Sequence, residues 1–253
     1  LGNIAIINFP FNVKSSEKKL FAEQLLKVHS NITTVLEKSW KFSGRLRKMK
    51  TKHLAGEKNK EVLYKENNCV FRFNLDTTYF SPRLSNERKE IASLIKKTDK
   101  VLVMFAGVGP YSICIAKNSK AKIYSNEINR EANKYAELNI KLNNVQDKVE
   151  LIPGDIKRVV EKLIGAKQKF SVIVMPRPRL KESFLKQAFM LSKKGTRIFY
   201  YDFCKIDDKN KIIEKIKNEA KKAKKEIKIL KIKHAGEIAP YKIRLRVDFV
   251  VAN

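Results

Sequence analysis

The chain has 253 residues, 43% of them hydrophobic and 32% charged, which is enough apolar material for a large domain with a smaller one beside it. Its 55 Lys+Arg against 26 Asp+Glu give a formal charge of +29, which favours a polyanion, nucleic acid first, although a solvated Lys-rich surface would explain the charge alone. Three widely spaced cysteines, Cys69, Cys114 and Cys204, exclude a disulfide framework and a CxxC zinc knuckle and fit a reducing cytoplasm.

In chain order, residues 1–74 read as a small α+β unit. Its parts are a strand at Asn3–Asn8, an amphipathic helix at Glu17–Val28 and a strand at Thr33–Glu37. The basic stretch Trp40–Lys52 follows, with Arg45, Arg47 and four lysines beside Trp40 and Phe42. Cations beside stacking faces suit an RNA surface, and equally an exposed edge strand. Val70–Leu75 alternates Phe71, Phe73 and Leu75 with Arg72 and Asn74, the period of a strand. The chain opens at Leu1 directly into its first strand, which leaves a missing upstream piece open.

Residues 75–253 are expected to form an α/β domain. Strands at Val101–Phe105, Lys122–Ser125, Val149–Ile152, Phe170–Val174 and Arg197–Phe203 alternate with helices at Tyr111–Lys117, Arg130–Leu142, Ile156–Leu163, Leu180–Leu191 and Asn210–Lys224. Strands Glu226–Ile232 and Ile243–Val251, joined by a Gly/Pro-bearing connection, would close an antiparallel edge and give seven strands, mostly parallel and doubly wound. The apolar runs have strand length, far short of the roughly 20 residues that span a bilayer, and no signal peptide is visible.

Chemistry gathers at the carboxyl ends of the first three strands of that domain. The turn Phe105-Ala106-Gly107-Val108-Gly109-Pro110 has two glycines where backbone must approach a ligand, but lacks the third glycine of a pyrophosphate loop. Glu127 ends the second strand, 18 residues past Gly109, where a carboxylate accepts from both hydroxyls of a ribose. Asp155 ends the third, positioned for an adenine amine. Each acid taken singly is as well explained by the dipole of a helix start; the ordered set of three is what points to a nucleoside.

FAGVGP at Phe105–Pro110, HLAGE at His53–Glu57, YFSPRLSNER at Tyr79–Arg88 and YYDF at Tyr200–Phe203 together resemble the archaeal and eukaryotic tRNA (guanine-37-N1) methyltransferase family across nearly the whole chain. The resemblance implies a Rossmann-like class I methyltransferase with a small tRNA-side domain, using S-adenosylmethionine on the purine next to the anticodon. It sets Phe105, Ala106, Gly107, Val108, Gly109, Pro110, Glu127, Ile128, Asp155, Ile156, Tyr79, Arg88 and Pro176 about the cofactor. It gives Arg45, Arg83, Arg177 and Pro178 to the substrate. Methylating guanine N1 requires a base for its proton and a cation for the charge gathering on the neighbouring oxygen. The resemblance places the base at Glu87 and the cation at Arg47, or Arg45. The bland reading of Glu87 is a dipole-favoured acid in the first turn of a helix capped by Ser85. A cytoplasmic monomer acting on the anticodon stem-loop is expected, with no metal and no membrane. The extra small N-terminal domain of many family members has no counterpart in the match.

Two departures stand out. Where the family usually has Asn-x-Pro, this chain reads Met175-Pro176-Arg177-Pro178-Arg179, and an acid usual before the glycine loop is Val103. The first resembles the archaeal wyosine branch, so carbon 7 of 4-demethylwyosine is a candidate second acceptor. Aminocarboxypropyl transfer to the wyosine precursor and noncatalytic RNA binding remain the alternatives. His29, His53 and His234 have no metal-ligand spacing, and no GxSxG or GKS/T motif occurs.

Overall fold

Short apolar strands separated by amphipathic helices build most of this molecule, here described from a computed structural model that places residues 1–39 and 50–253. In the N-terminal unit β1 (Ile4–Ile7) runs parallel to β2 (Thr34–Lys38), with α1 (Ser15–Val28) between them. β2 pairs antiparallel with β3 (Thr51–Gly56). Helix α1 covers one face through Ala22 against Val35 and Ala55. From the other face Ile4 and Leu36 enter the core of the larger unit, beside Phe71, Phe73 and Ile113. β3 was not expected from the sequence. His53 lies on it, its Nε2 3.1 Å from the Gly56 carbonyl oxygen, a structural contact.

β4 (Glu61–Glu66) and β5 (Cys69–Asn74) form a hairpin whose turn residues Asn67 and Asn68 have φ of 48° and 57°, the left-handed pair that matches strand twist. Phe71, Phe73 and Leu75 are buried, as the alternation predicts. The expected N-terminal unit included β5, yet the open edge of that strand is taken by the larger unit. Arg72 N–H donates to Asn139 Oδ1 at 2.7 Å and Asn139 Nδ2 donates back to Arg72 O at 3.0 Å, while Asn143 brackets Val70 in the same way at 2.9 and 2.7 Å. An edge strand is thereby capped by two amides one helical turn apart.

The larger unit continues with α2 (Ser85–Ser93), β6 (Lys100–Met104), α3 (Pro110–Asn118), β7 (Lys122–Glu127), α4 (Arg130–Leu142), β8 (Val149–Pro153) and α5 (Ile156–Gly165). After it come β9 (Phe170–Met175), α6 (Leu185–Leu191), β10 (Ser192–Lys205), α7 (Lys209–Lys222), β11 (Ile227–Ala239) and β12 (Lys242–Val251). The seven-stranded sheet has the order β11-β12-β10-β9-β6-β7-β8, parallel except for β12, which lies antiparallel between β10 and β11. This is the α/β architecture the alternation predicts. Central strands are apolar on both faces because helices cover both, and Val101, Leu102, Val103 and Met104 are fully buried. Val103 is in register with Ser125 and Val174 on the neighbouring strands and is fully buried.

Three expectations are corrected. The helix predicted over Leu180–Leu191 begins only at Leu185, because Phe184 adopts a left-handed φ of 59° and Arg177 donates to the carbonyl oxygens of Leu180 and Glu182, at 2.5 Å each, holding them outside a helix. Ser85 does not cap α2: Leu84 occupies the cap position, and Ser85 Oγ accepts from Asn67 Nδ2 at 3.3 Å. β11 runs on to Ala239, so its connection to β12 shrinks to Pro240-Tyr241. Among the described residues, no helix is long and apolar enough to cross a membrane.

Candidate active site

The strand-end residues converge on one crevice. Phe105 leaves β6 with φ of 61° and Ala106 N–H donates to Asn126 O at 2.9 Å. The loop then turns through Gly107 (φ 58°), whose N–H donates to Glu127 Oε2 at 2.8 Å. The other oxygen of Glu127 accepts from Asn129 N–H at 2.8 Å. Burial pushes the Glu127 carboxyl above the ordinary carboxylate range, partly offset by the backbone N–H groups of Asn129, Gly107 and Ile128. Gly109 (φ 87°) starts α3 with Pro110 as its first helical residue. A Cβ at Gly109 would lie 3.2 Å from the Ile113 Cδ1 atom, so this glycine serves packing as well as the turn.

Asp155 starts α5 and accepts from Lys157 N–H at 3.0 Å, so the helix-dipole reading holds for it together with its place at the crevice. Asn126 fixes the turn before it, donating through Nδ2 to the oxygens of Ile152 at 2.8 Å and Gly154 at 3.0 Å. Gly107, Glu127, Ile128, Asp155 and Ile156 form one wall, and Phe105, Pro176, Pro178 and Phe184 face them. The rings of Phe105 and Phe184 meet edge to face, centroids 5.0 Å apart. Both are left-handed, a costly conformation for an aromatic residue of the kind that gathers at ligand sites. Ala106, Val108, Gly109 and Pro110, expected about the cofactor, are not among the residues lining this crevice.

Beyond Tyr79, Phe203 and Arg244 the crevice passes into a second cavity of about 500 Å³. Its walls carry Lys38, Arg83 and Arg179 besides Arg244, whose guanidinium lies 5.4 Å from the Phe203 ring centroid. Phe203 and Arg244 are register partners on β10 and β12, so the antiparallel strand brings a cation to the carboxyl end of a parallel one.

Not every expected residue reaches these cavities. Glu87 is buried and lines neither: it accepts from Arg246 Nη1 at 2.7 Å, Tyr201 OH at 2.9 Å and Lys233 Nζ at 2.5 Å. Arg246 also holds the neighbouring Glu90 carboxyl down to about 2. Tyr201 does line the crevice, and burial above all keeps its phenol protonated. Arg88, expected at the cofactor, is instead a core ion pair: its guanidinium grips Glu66 and stacks 4.9 Å over Phe80. Arg177 borders the crevice, its Nη atoms donating to Asp202 and to the carbonyl oxygens of Leu180 and Glu182 while its buried Nε has no hydrogen-bond partner among the described residues, so it pins a loop at the crevice edge. Arg45 and Arg47 lie outside the described residues.

Sequence reasoning missed Asn126, Phe184, Tyr201, Phe203 and Arg244 as lining residues. For Tyr201 and Phe203 a signal existed, the carboxyl end of a parallel strand; for Arg244 the antiparallel register would have been needed. Among the described residues no group of three or more His, Cys, Asp or Glu could hold a metal.

Residues 62–230 match the profile of the TRM5/TYW2 methyltransferase domain, and residues 1–59 that of the TYW2 N-terminal domain. The chain belongs to the TRM5/TYW2 methyltransferase family. Among its relatives is the tRNA (guanine(37)-N(1))/4-demethylwyosine(37)-methyltransferase Taw22 of Nanoarchaeum equitans, 34% identical over 98% of this chain and 97% of that protein. The crystal structure of Trm5b from Pyrococcus abyssi superposes with a TM-score of 0.87 at 33% identity, covering 100% of this chain and 74% of that one. A complex of aTrm5 with tRNALeu superposes at 0.84 and 30% identity, covering 100% and 70%. TYW2 of M. jannaschii in complex with AdoMet superposes at 0.72 and 25%, covering 88% and 94%. The Gly107 loop, Glu127 and Asp155 lie within the matched methyltransferase domain.

Proposed function

We propose that this chain methylates N1 of guanosine 37 in tRNA with S-adenosylmethionine, and that it also methylates carbon 7 of 4-demethylwyosine at the same position. The observation that carries this reading is the junction itself: a crevice lined by Gly107, Glu127 and Asp155 shares Tyr79, Phe203 and Arg244 with a cavity rimmed by cations. The residues fit the cofactor. Glu127 is half-buried and its carboxylate is held by backbone N–H groups, with Gly107 on one oxygen and Asn129 on the other, and lone pairs remain for ribose hydroxyls, while Gly107 lets backbone approach. Bound there, S-adenosylmethionine supplies an electrophilic methyl group. The chain's residues hold it, exclude water with the Phe105–Phe184 pair and offset charge on the purine oxygen with the cations around Arg244.

Glu87 acts in this proposal through Tyr201, which lines the crevice and whose hydroxyl donates to that carboxylate at 2.9 Å. Arg47 remains the proposed partner of the purine oxygen, with Arg45 beside it. The second acceptor is favoured by the Met175–Arg179 segment, which carries no amide and whose arginine is bound to Asp202, and by the double activity in the name of the Nanoarchaeum relative. We place the boundary between the tRNA-side and methyltransferase units in the connection between β3 and β4, and expect a cytoplasmic monomer. Transfer of labelled methyl to transcripts carrying G, A or 4-demethylwyosine at position 37, read by mass spectrometry, tests the reading. One methyl on G and on 4-demethylwyosine supports it; methyl on A, an aminocarboxypropyl gain, or no gain on G overturns it.

A further inference from the structure

The hairpin of β11 and β12 ends in a feature that nothing above uses. Ala239 and Lys242 are its last register pair, so Pro240 and Tyr241 alone make the turn. Proline sets the first turn residue near −65°, and Tyr241 follows at φ 56°, the pattern of a type II turn in which glycine or asparagine is the unstrained choice. A tyrosine there costs free energy and leaves its side chain 82% exposed. The turn is nonetheless fixed, since Ile206 N–H donates to Tyr241 O at 3.1 Å.

The hairpin is also aimed. β-Bulges interrupt its register between His234 and Glu237 and again before Ala239, with Gly236 at φ 110° between them, and bulges bend a strand and redirect what it carries. The bent stem, Glu237, Ile238 and Ala239, forms part of the wall of the second cavity, which Arg83 and Arg179 also line. Tyr241 follows Ala239 by two residues, within about 7 Å of chain, and its exposed ring belongs to the residue before Lys242. An exposed aromatic face with cations, on a hairpin whose stem lines a cavity, is a combination that stacks a nucleobase.

We infer that Tyr241 is a stacking platform for the RNA base adjacent to the one that enters the second cavity. This rests on the reading that the cavity receives a nucleotide of RNA. The strain at Tyr241 supplies the control, because Tyr241→Gly suits the turn and should fold with unchanged or raised Tm while removing the ring. Fluorescence anisotropy with a labelled anticodon stem-loop should show Tyr241→Gly binding about tenfold more weakly, and Tyr241→Trp close to the parent. With 2-aminopurine next to the target purine, the parent should quench its emission and Tyr241→Gly should not. Equal affinity and equal quenching in parent and Tyr241→Gly would overturn the platform while leaving the cavity reading intact. A parent chain that binds S-adenosylmethionine but no stem-loop would overturn both.

Discussion

Glu127 is where the cofactor reading can be tested hardest. In Glu127→Gln one carboxylate oxygen becomes an NH2 group, so that either Gly107 N–H or Asn129 N–H, each now 2.8 Å from an acceptor, must face a donor. On the ligand side, one ribose hydroxyl loses a charged acceptor. A hydrogen bond to a charged group contributes about 1.5–3 kcal/mol, so the ligand's loss alone should raise Kd for S-adenosylhomocysteine roughly 10- to 150-fold in isothermal calorimetry. Stability should change less, because the variant no longer buries a charge. pH dependence gives a second reading. Burial raises the carboxyl of the free protein, and binding needs the ionised form, so affinity should be full at neutral pH. It should fall with acidification through that raised value, earlier than for an exposed glutamate. The stability term has the opposite sign: a carboxyl raised by folding favours the folded state in acid, and that contribution is lost as pH rises through the folded value. The glutamine variant should show neither dependence. An unchanged Kd in Glu127→Gln would remove the ribose role and, with it, the argument for a nucleoside in the crevice.

Two further expectations concern residues whose roles the structure reassigns. Arg88→Met should destabilise by about 3–5 kcal/mol in urea titration, since it strands Glu66, whose side chain is 3% exposed, without a cation, and Arg88→Met with Glu66→Gln should recover much of that. A loss as large in the double variant would show that packing over Phe80, and not the pair, is what counts. Tyr201→Phe should lower kcat for methyl transfer about 10- to 100-fold with cofactor Kd unchanged, because it severs Glu87 from the crevice; unaltered kcat would end the proposed path.

The cofactor half of the site was legible because it is local in sequence. A glycine turn after a buried strand, and an acid at the end of each of the next two, keep their mutual placement whenever consecutive βα units wind in one direction. Arg130–Leu142 could likewise be read to the residue, since its apolar spacing and Asn129 cap agree. The substrate half depends on long-range geometry. Phe203 meets Arg244 only because β12 returns antiparallel along β10, a register that no local pattern encodes. Arg177, between two prolines, looked like a free cation at a strand end. Only the fold shows Asp202 and two carbonyls converging on it.

That division has a physical consequence for how such a site can change. The Gly107 loop, Glu127 and Asn126 are tied to one another through backbone groups at 2.8–3.0 Å, so a side-chain exchange there disturbs the loop itself. The cations of the second cavity come from separate elements: Lys38 on β2, Arg83 before α2, Arg179 after β9 and Arg244 on β12. Each stands on a different element, so a substitution at one leaves in place the backbone that carries the others. A change of acceptor from guanine to a tricyclic base therefore requires no rebuilding of the crevice. It requires a new set of side chains on four separate elements, while Arg177, in the amide-free segment Met175–Arg179, stays turned inward onto Asp202.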